Sequence, residues 1–185
     1  MRSLDEYIVV IENVIPLELC DAILDEYVNS ESWIRATTKS PEASHNRTCY
    51  TIGMSASSII AVNPEIRKKL DHDVFECAAK VINYYNDHCS ECKIQCDTGY
   101  ELLRYETGQF YTQHTDAFKE NPRAVSCSFA LNDGYTGGEF AFFDRELKYS
   151  LKKGSVIMFP SNFMYPHEVM PVTSGTRYSI VTWFI

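Results

Sequence analysis

No apolar run in this chain approaches the roughly 20 residues that a helix needs to cross a bilayer. Basic residues are in short supply: 17 Lys and Arg stand against 25 Asp and Glu, for a net charge of −8. That balance argues against general binding to nucleic-acid phosphates. Neither nucleic acid nor a membrane is expected as a partner, and a basic or neutral polypeptide is compatible with the charge. The opening Met1-Arg2-Ser3-Leu4-Asp5-Glu6 lacks the apolar core of a signal peptide, so a cytoplasmic location is expected. The two separated cysteine pairs of a structural zinc site are missing too. Of the 7 cysteines, one cluster stands out, Cys89, Cys92 and Cys96, and free thiols are expected there. A zinc-stabilised interaction domain built on those three is the alternative. No repeat, low-complexity tract or linker divides the chain, so 185 residues are expected to form one domain.

Two helices are expected in the first half. Leu17 to Tyr27 places Leu19, Ala22, Ile23 and Tyr27 at helical spacing after Pro16. Asn63-Pro64-Glu65 opens a second helix, Asn63 as N-cap and Pro64 in the first turn, that runs to about His88. Its apolar stripe reads Ile66, Leu70, Val74, Phe75, Ala78, Val81, Ile82 and Tyr85. His72 is expected on the surface. Tyr7 to Val14 reads as a strand, Ser30 to Asn46 as a loop, and Arg47 to Gly53 as a short strand. From Cys96 the helical period disappears. Short β-rich runs follow at Tyr100–Tyr105, Phe110–His114, Val125–Leu131, Glu139–Phe143, Ser155–Phe159, Met164–Met170 and Arg177–Ile185. The expected class is α+β, mainly β: a cupin-like jelly-roll core over about 97–185, with helical support over about 15–90.

His114-Thr115-Asp116 is the first stretch with chemical content. On an extended backbone the imidazole and the carboxylate point the same way. With a second histidine, for which His167 is the candidate, they would occupy one face of an iron(II) ion and leave three coordination positions open. Arg177 lies on a strand where alternation puts Arg177, Ser179, Val181 and Trp183 on one face. Both faces are largely apolar, and a buried guanidinium needs an anion. A protein carboxylate would serve. So would a ligand carboxylate held bidentately, with Ser179 adding a hydrogen bond.

Tyr105 to Asp116 resembles the Tyr-x-x-Gly-Gln-x-Tyr-x-x-His-x-Asp signature of the Fe(II)/2-oxoglutarate-dependent dioxygenases, prolyl 4-hydroxylase-like group. Leu131-Asn132-Asp133, Gly137-Gly138-Glu139, Gly154 to Pro160, His167 and Arg177-x-Ser179 follow in that group's order. The resemblance implies a double-stranded β-helix in which His114, Asp116 and His167 hold iron. It also implies that Arg177, helped by Ser179, takes the distal carboxylate of 2-oxoglutarate, and that Tyr105 lines the cosubstrate pocket. Many prolyl 4-hydroxylases have Lys at the place of Arg177, and often Tyr at the place of Ala130.

The cofactors implied are Fe(II), 2-oxoglutarate and O2, with ascorbate (vitamin C) as reductant. The implied reaction is hydroxylation of an unactivated C–H bond, most simply in a peptidyl proline, with release of succinate and CO2. A polypeptide substrate is expected, bordered by Thr37–Asn46 and Ala117–Arg123 and touched by Arg35 and Arg47. Lysyl residues, a free amino acid or another small-molecule substrate are the alternative acceptors. A non-catalytic jelly-roll binding module is the alternative outside enzymology.

Overall fold

The structure is a computed structural model that describes residues 2–37, 45–55, 63–120 and 122–185. Its two helices, α1 (Leu17–Tyr27) and α2 (Pro64–His88), begin and end where the sequence places them. The Asn63 side chain accepts from the Glu65 amide at 3.0 Å, satisfying a donor that the helix start would leave open. The buried stripe of α2 differs from the expected one. Leu70, Val74, Cys77, Ala78, Val81 and Tyr85 are buried, whereas Ile66 and Phe75 are 43% and 47% exposed. Phe75 sits about 100° around the helix from Val74, outside the buried arc. In α1, Cys20 takes the buried place expected of Ala22, which is exposed.

The first strand is shorter than expected. Ser3 and Glu6 form a capping box that winds Leu4–Tyr7 into a 3-10 turn. Only Val9–Ile11 (β1) is extended. The expected loop after α1 carries a two-residue strand, Ile34–Arg35 (β2), paired with Tyr50–Gly53 (β3). Then come β4 (Glu101–Glu106), β5 (Tyr111–His114), β6 (Val125–Ala130), β7 (Thr136–Gly137), β8 (Phe140–Phe142) and β9 (Leu147–Tyr149). They are followed by β10 (Val156–Pro160), β11 (His167–Val169), β12 (Val172–Ser174) and β13 (Thr176–Phe184). The short strands β7, β9 and β12 carry too few residues to display an alternation.

The strands pair antiparallel throughout. A seven-stranded sheet runs β1-β10-β6-β13-β4-β3-β2, and a four-stranded sheet runs β5-β11-β8-β9. Two cores separate three layers. One holds α1 and α2 against the outer face of the large sheet, through Ile23, Val74, Val81, Leu102, Phe129 and Phe184. The other lies between the sheets, where Leu103, Tyr105 and Phe159 of the large sheet meet Phe140, Phe142 and Val169 of the small one. β6 is buried along its whole length, as expected of a strand covered on both faces. Among the described residues no helix is long and apolar enough to cross a membrane.

Candidate active site

A cavity of about 360 Å³ opens between the two sheets. The four alternate residues of β13 singled out in the sequence, Arg177, Ser179, Val181 and Trp183, all line it. On the opposite wall, β11 pairs with β5 so that His167 lies directly across from His114. Asp116 falls beyond the end of β5, in a bend, so strand alternation does not place it. Its amide, and that of Ala117, instead donate to the Ser161 carbonyl at 3.2 and 2.9 Å, which folds the chain back under the histidines.

His114, Asp116 and His167 converge as the sequence suggests. Their candidate ligand atoms all lie within 4.8 Å of one another, and among the described residues they are the one group of three that could hold a metal ion. Cys89, Cys92 and Cys96 form no such group. Nε2 of His114 is 3.4 Å from Asp116 Oδ1, and Nε2 of His167 is 3.6 Å from Asp116 Oδ2. Each Nδ1 faces a backbone carbonyl two residues upstream, Thr112 O at 2.8 Å and Tyr165 O at 3.1 Å. A carbonyl only accepts, so Nδ1 carries the proton and Nε2 presents its lone pair to the shared space. Burial, with His114 beside it, pushes His167 down to about 4 against the pull of Asp116. That ring is therefore neutral, the state a metal ligand needs.

The carboxylate is held as firmly. Oδ2 of Asp116 accepts from Ser126 Oγ at 2.7 Å and from Trp183 Nε1 at 3.0 Å. Ser126 and Trp183 are direct register partners on β6 and β13, so one rung of the sheet supplies both donors. Ser161 extends the chain to Ser126 at 2.8 Å. Burial works against the Asp116 charge, but His167, His114 and Trp183 outweigh it and keep the carboxyl well below its usual range.

Further along β13, Arg177 is 2% exposed and donates to Ser179 Oγ at 2.9 Å. No carboxylate pairs with it among the described residues. Its register partner is Tyr105, and its guanidinium lies 5.3 Å from that ring and 5.2 Å from the ring of Phe140. The Gly137-Gly138 turn makes room for it: a Cβ on Gly138 would stand 2.9 Å from Arg177 Cδ, and one on Gly137 2.2 Å from the Pro171 carbonyl oxygen. The Tyr105 hydroxyl is buried near the Cys49 thiol and, among the described residues, has no oxygen or nitrogen hydrogen-bond partner. Burial raises it well above its usual range, Cys49 adds to this, and Arg47 and Arg177 oppose it, so it is a protonated donor. A neutral donor and an unpaired cation facing one cavity fit an incoming carboxylate.

Other expected residues divide. Thr37 and Arg47 line the cavity, as do Phe118 and Arg123 from the Ala117–Arg123 segment. Arg35 is exposed on β2, away from the cavity lining. Within Thr37–Asn46, residues 38–44 lie outside the described residues, as does Asn121. Ala130 is buried and offers no polar group. Phe143 is half-buried beside the second core. Ser126, Ser161 and Arg123 were not singled out in the sequence. The one available signal was a pair of serines, 126 and 128, alternating with apolar residues on a strand buried on both faces.

Residues 100–185 match the family model described as the 2OG-Fe(II) oxygenase superfamily. A PKHD-type hydroxylase of Idiomarina loihiensis is 33% identical over 88 residues, 44% of this chain and 39% of that protein. One from Rippkaea orientalis is 35% identical over 89 residues, again 39% of its length. The matched stretch thus spans well under half of these curated relatives. Among solved structures, a Trichoplax adhaerens prolyl hydroxylase, in complex with a hypoxia inducible factor oxygen degradation domain peptide fragment, superposes with a TM-score of 0.77 at 18% identity. That match covers 97% of this chain and 84% of the other. A Pseudomonas putida prolyl-4-hydroxylase gives 0.71 at 21% identity, over 96% and 91%. The sequence match and the fold agree: the chain resembles the Fe(II)/2-oxoglutarate-dependent dioxygenases, prolyl hydroxylase-like.

Proposed function

We propose that the chain is a single Fe(II)- and 2-oxoglutarate-dependent dioxygenase domain, whose facing sheets form a double-stranded β-helix, and that it hydroxylates an unactivated C–H bond. The observation that carries this is the convergence of His114, Asp116 and His167 within 4.8 Å, in the same cavity as Arg177, with which no carboxylate pairs among the described residues. In this reading His114 Nε2, His167 Nε2 and Asp116 Oδ1 hold iron, a donor set that suits Fe(II) and leaves open positions. Arg177 and Ser179 anchor the distal carboxylate of 2-oxoglutarate, and Tyr105 donates its hydroxyl to the cosubstrate. Iron(II), 2-oxoglutarate and O2 together supply the oxidation, with succinate and CO2 as products and ascorbate as reductant.

This chemistry requires no acid or base from the protein. Thr112 and Tyr165 fix the ring tautomers through their carbonyls. Ser126 and Trp183 hold Oδ2, leaving Oδ1 for the metal. Phe140, Phe159 and Val169 give the cavity an apolar wall. The acceptor we favour is a peptidyl proline, in keeping with the prolyl hydroxylases that share the fold. The test is 2-oxoglutarate turnover to succinate with proline peptides, lysine peptides and free amino acids, each product weighed for one added oxygen. Stimulation by small molecules alone removes the peptide reading, and no turnover with any acceptor removes the enzyme.

A further inference from the structure

The chain is acidic, yet its cavity is not. Three arginines line it, Arg47, Arg123 and Arg177, against two carboxylates, Asp116 and Glu101. In the proposed function Arg177 and Asp116 have roles; Arg47 and Arg123 have none. Neither pairs with a carboxylate among the described residues, and the Nε of each is buried with no hydrogen-bond partner. What each does have is an aromatic face. The Arg47 guanidinium lies 5.0 Å from the ring centre of Tyr111, which in turn stacks on His114 at 3.5 Å. Arg123 lies 3.4 Å over Trp183, the donor to Asp116, and gives one weak bond to the Asp116 carbonyl at 3.3 Å. Each cation thus stands one ring away from a different member of the trio.

A stacked guanidinium keeps its N–H donors in its own plane, free at the edge. Two such cations facing one cavity repel each other and lose hydration, a cost that an anion between them would remove. We infer that Arg47 and Arg123 together receive a carboxylate of the acceptor, so that the molecule hydroxylated is anionic next to its reacting carbon. This rests on the oxygenase reading and narrows its substrate class. The carboxylate has two possible sources: an Asp or Glu side chain flanking the modified residue of a peptide, or the α-carboxylate of a free amino acid. The −8 charge of the whole chain does not oppose this, because surface charges beyond a Debye length of about 8 Å are screened.

The test compares matched ligands on the full chain: N-acetyl, C-terminally amidated pentapeptides with a central proline flanked by Asp or by Asn, and L-proline against L-prolinamide. Affinity is read by calorimetry with Mn(II) and 2-oxoglutarate present, and turnover is read separately with Fe(II). The wild-type protein is expected to favour the carboxylate-bearing member of one pair, the Asp peptide or L-proline, by about tenfold or more, and the pair that responds identifies the source. Arg47→Gln and Arg123→Gln are each expected to shrink that ratio to about twofold, with Arg→Lys recovering part of it. Equal affinity within both pairs, a preference for the members that lack the carboxylate, binding by none of the four, or a ratio untouched in both Gln variants overturns the inference. The wild-type ratio decides the matter if a variant fails to fold. Charge-selective binding without turnover removes the oxygenase and leaves the anion site; turnover without charge selectivity does the reverse.

Discussion

The indole nitrogen of Trp183 donates to Oδ2 of Asp116 at 3.0 Å, from the strand that also carries Arg177. One strand therefore steadies the candidate metal carboxylate at one end and presents the candidate cosubstrate anchor at the other. Loss of the indole donor by Trp183→Phe is expected to weaken Mn(II) or Co(II) affinity by about tenfold or more, as removal of outer-shell partners does elsewhere. Metal titration of the folded variant checks this. Unchanged affinity means that Ser126 alone orients the carboxylate.

Arg177→Gln removes the buried cation and is expected to lower 2-oxoglutarate affinity by about a hundredfold, with Arg177→Lys in between. Gly138→Ala tests the same anchor from behind. Its Cβ would meet Arg177 Cδ at 2.9 Å at a backbone φ of +69°, so weaker cosubstrate binding and lower stability are expected together. Calorimetry with 2-oxoglutarate and a thermal melt give the two readouts. Normal affinity in Gly138→Ala shows that the guanidinium has room to shift.

Tyr105→Phe has effects of opposite sign. Its hydroxyl is buried without an oxygen or nitrogen partner among the described residues, so deleting it is expected to stabilise the ligand-free protein by about 1 kcal/mol. For a chain of this size that is a rise of about 2–4 °C in melting temperature. Affinity for 2-oxoglutarate is expected to fall about tenfold, because the donor meant for it is gone. A lower melting temperature in the ligand-free state contradicts the idea of a hydroxyl held in reserve.

The helix α2 offers a check on the fold. Val74→Ala, at a fully buried site, is expected to cost about 1–3 kcal/mol. Phe75→Ala, next to it and 47% exposed, is expected to stay within about 0.5 kcal/mol despite the larger deletion. Denaturant midpoints compare the two.

How far the sequence revealed this site follows from which interactions are local. The cap at Asn63 and the alternation of Arg177, Ser179, Val181 and Trp183 are matters of neighbours along the chain, and both are as expected. Phe75 was misjudged because apolar character does not say which arc of a long helix meets the sheet. Asp116 reached its place by backbone bonds to Ser161, 45 residues on in the chain and invisible to a strand argument. Ser126 and Arg123 acquire meaning only through their contacts with Asp116 and Trp183, which are distant in the chain and brought together by the fold. For Cys89, Cys92 and Cys96 free thiols are the expectation and zinc the alternative; among the described residues the His-Asp-His group is the one that converges.

The central claim is that His114, Asp116 and His167 hold a ferrous ion beside a 2-oxo acid anchored by Arg177. Anaerobic titration with Fe(II) and 2-oxoglutarate reads this directly, through the visible charge-transfer absorption of an iron-bound 2-oxo acid. The expected result is a band that needs both components, disappears in His114→Ala and requires far more 2-oxoglutarate in Arg177→Gln. No band at saturating concentrations, or a band unchanged in His114→Ala, would contradict the account.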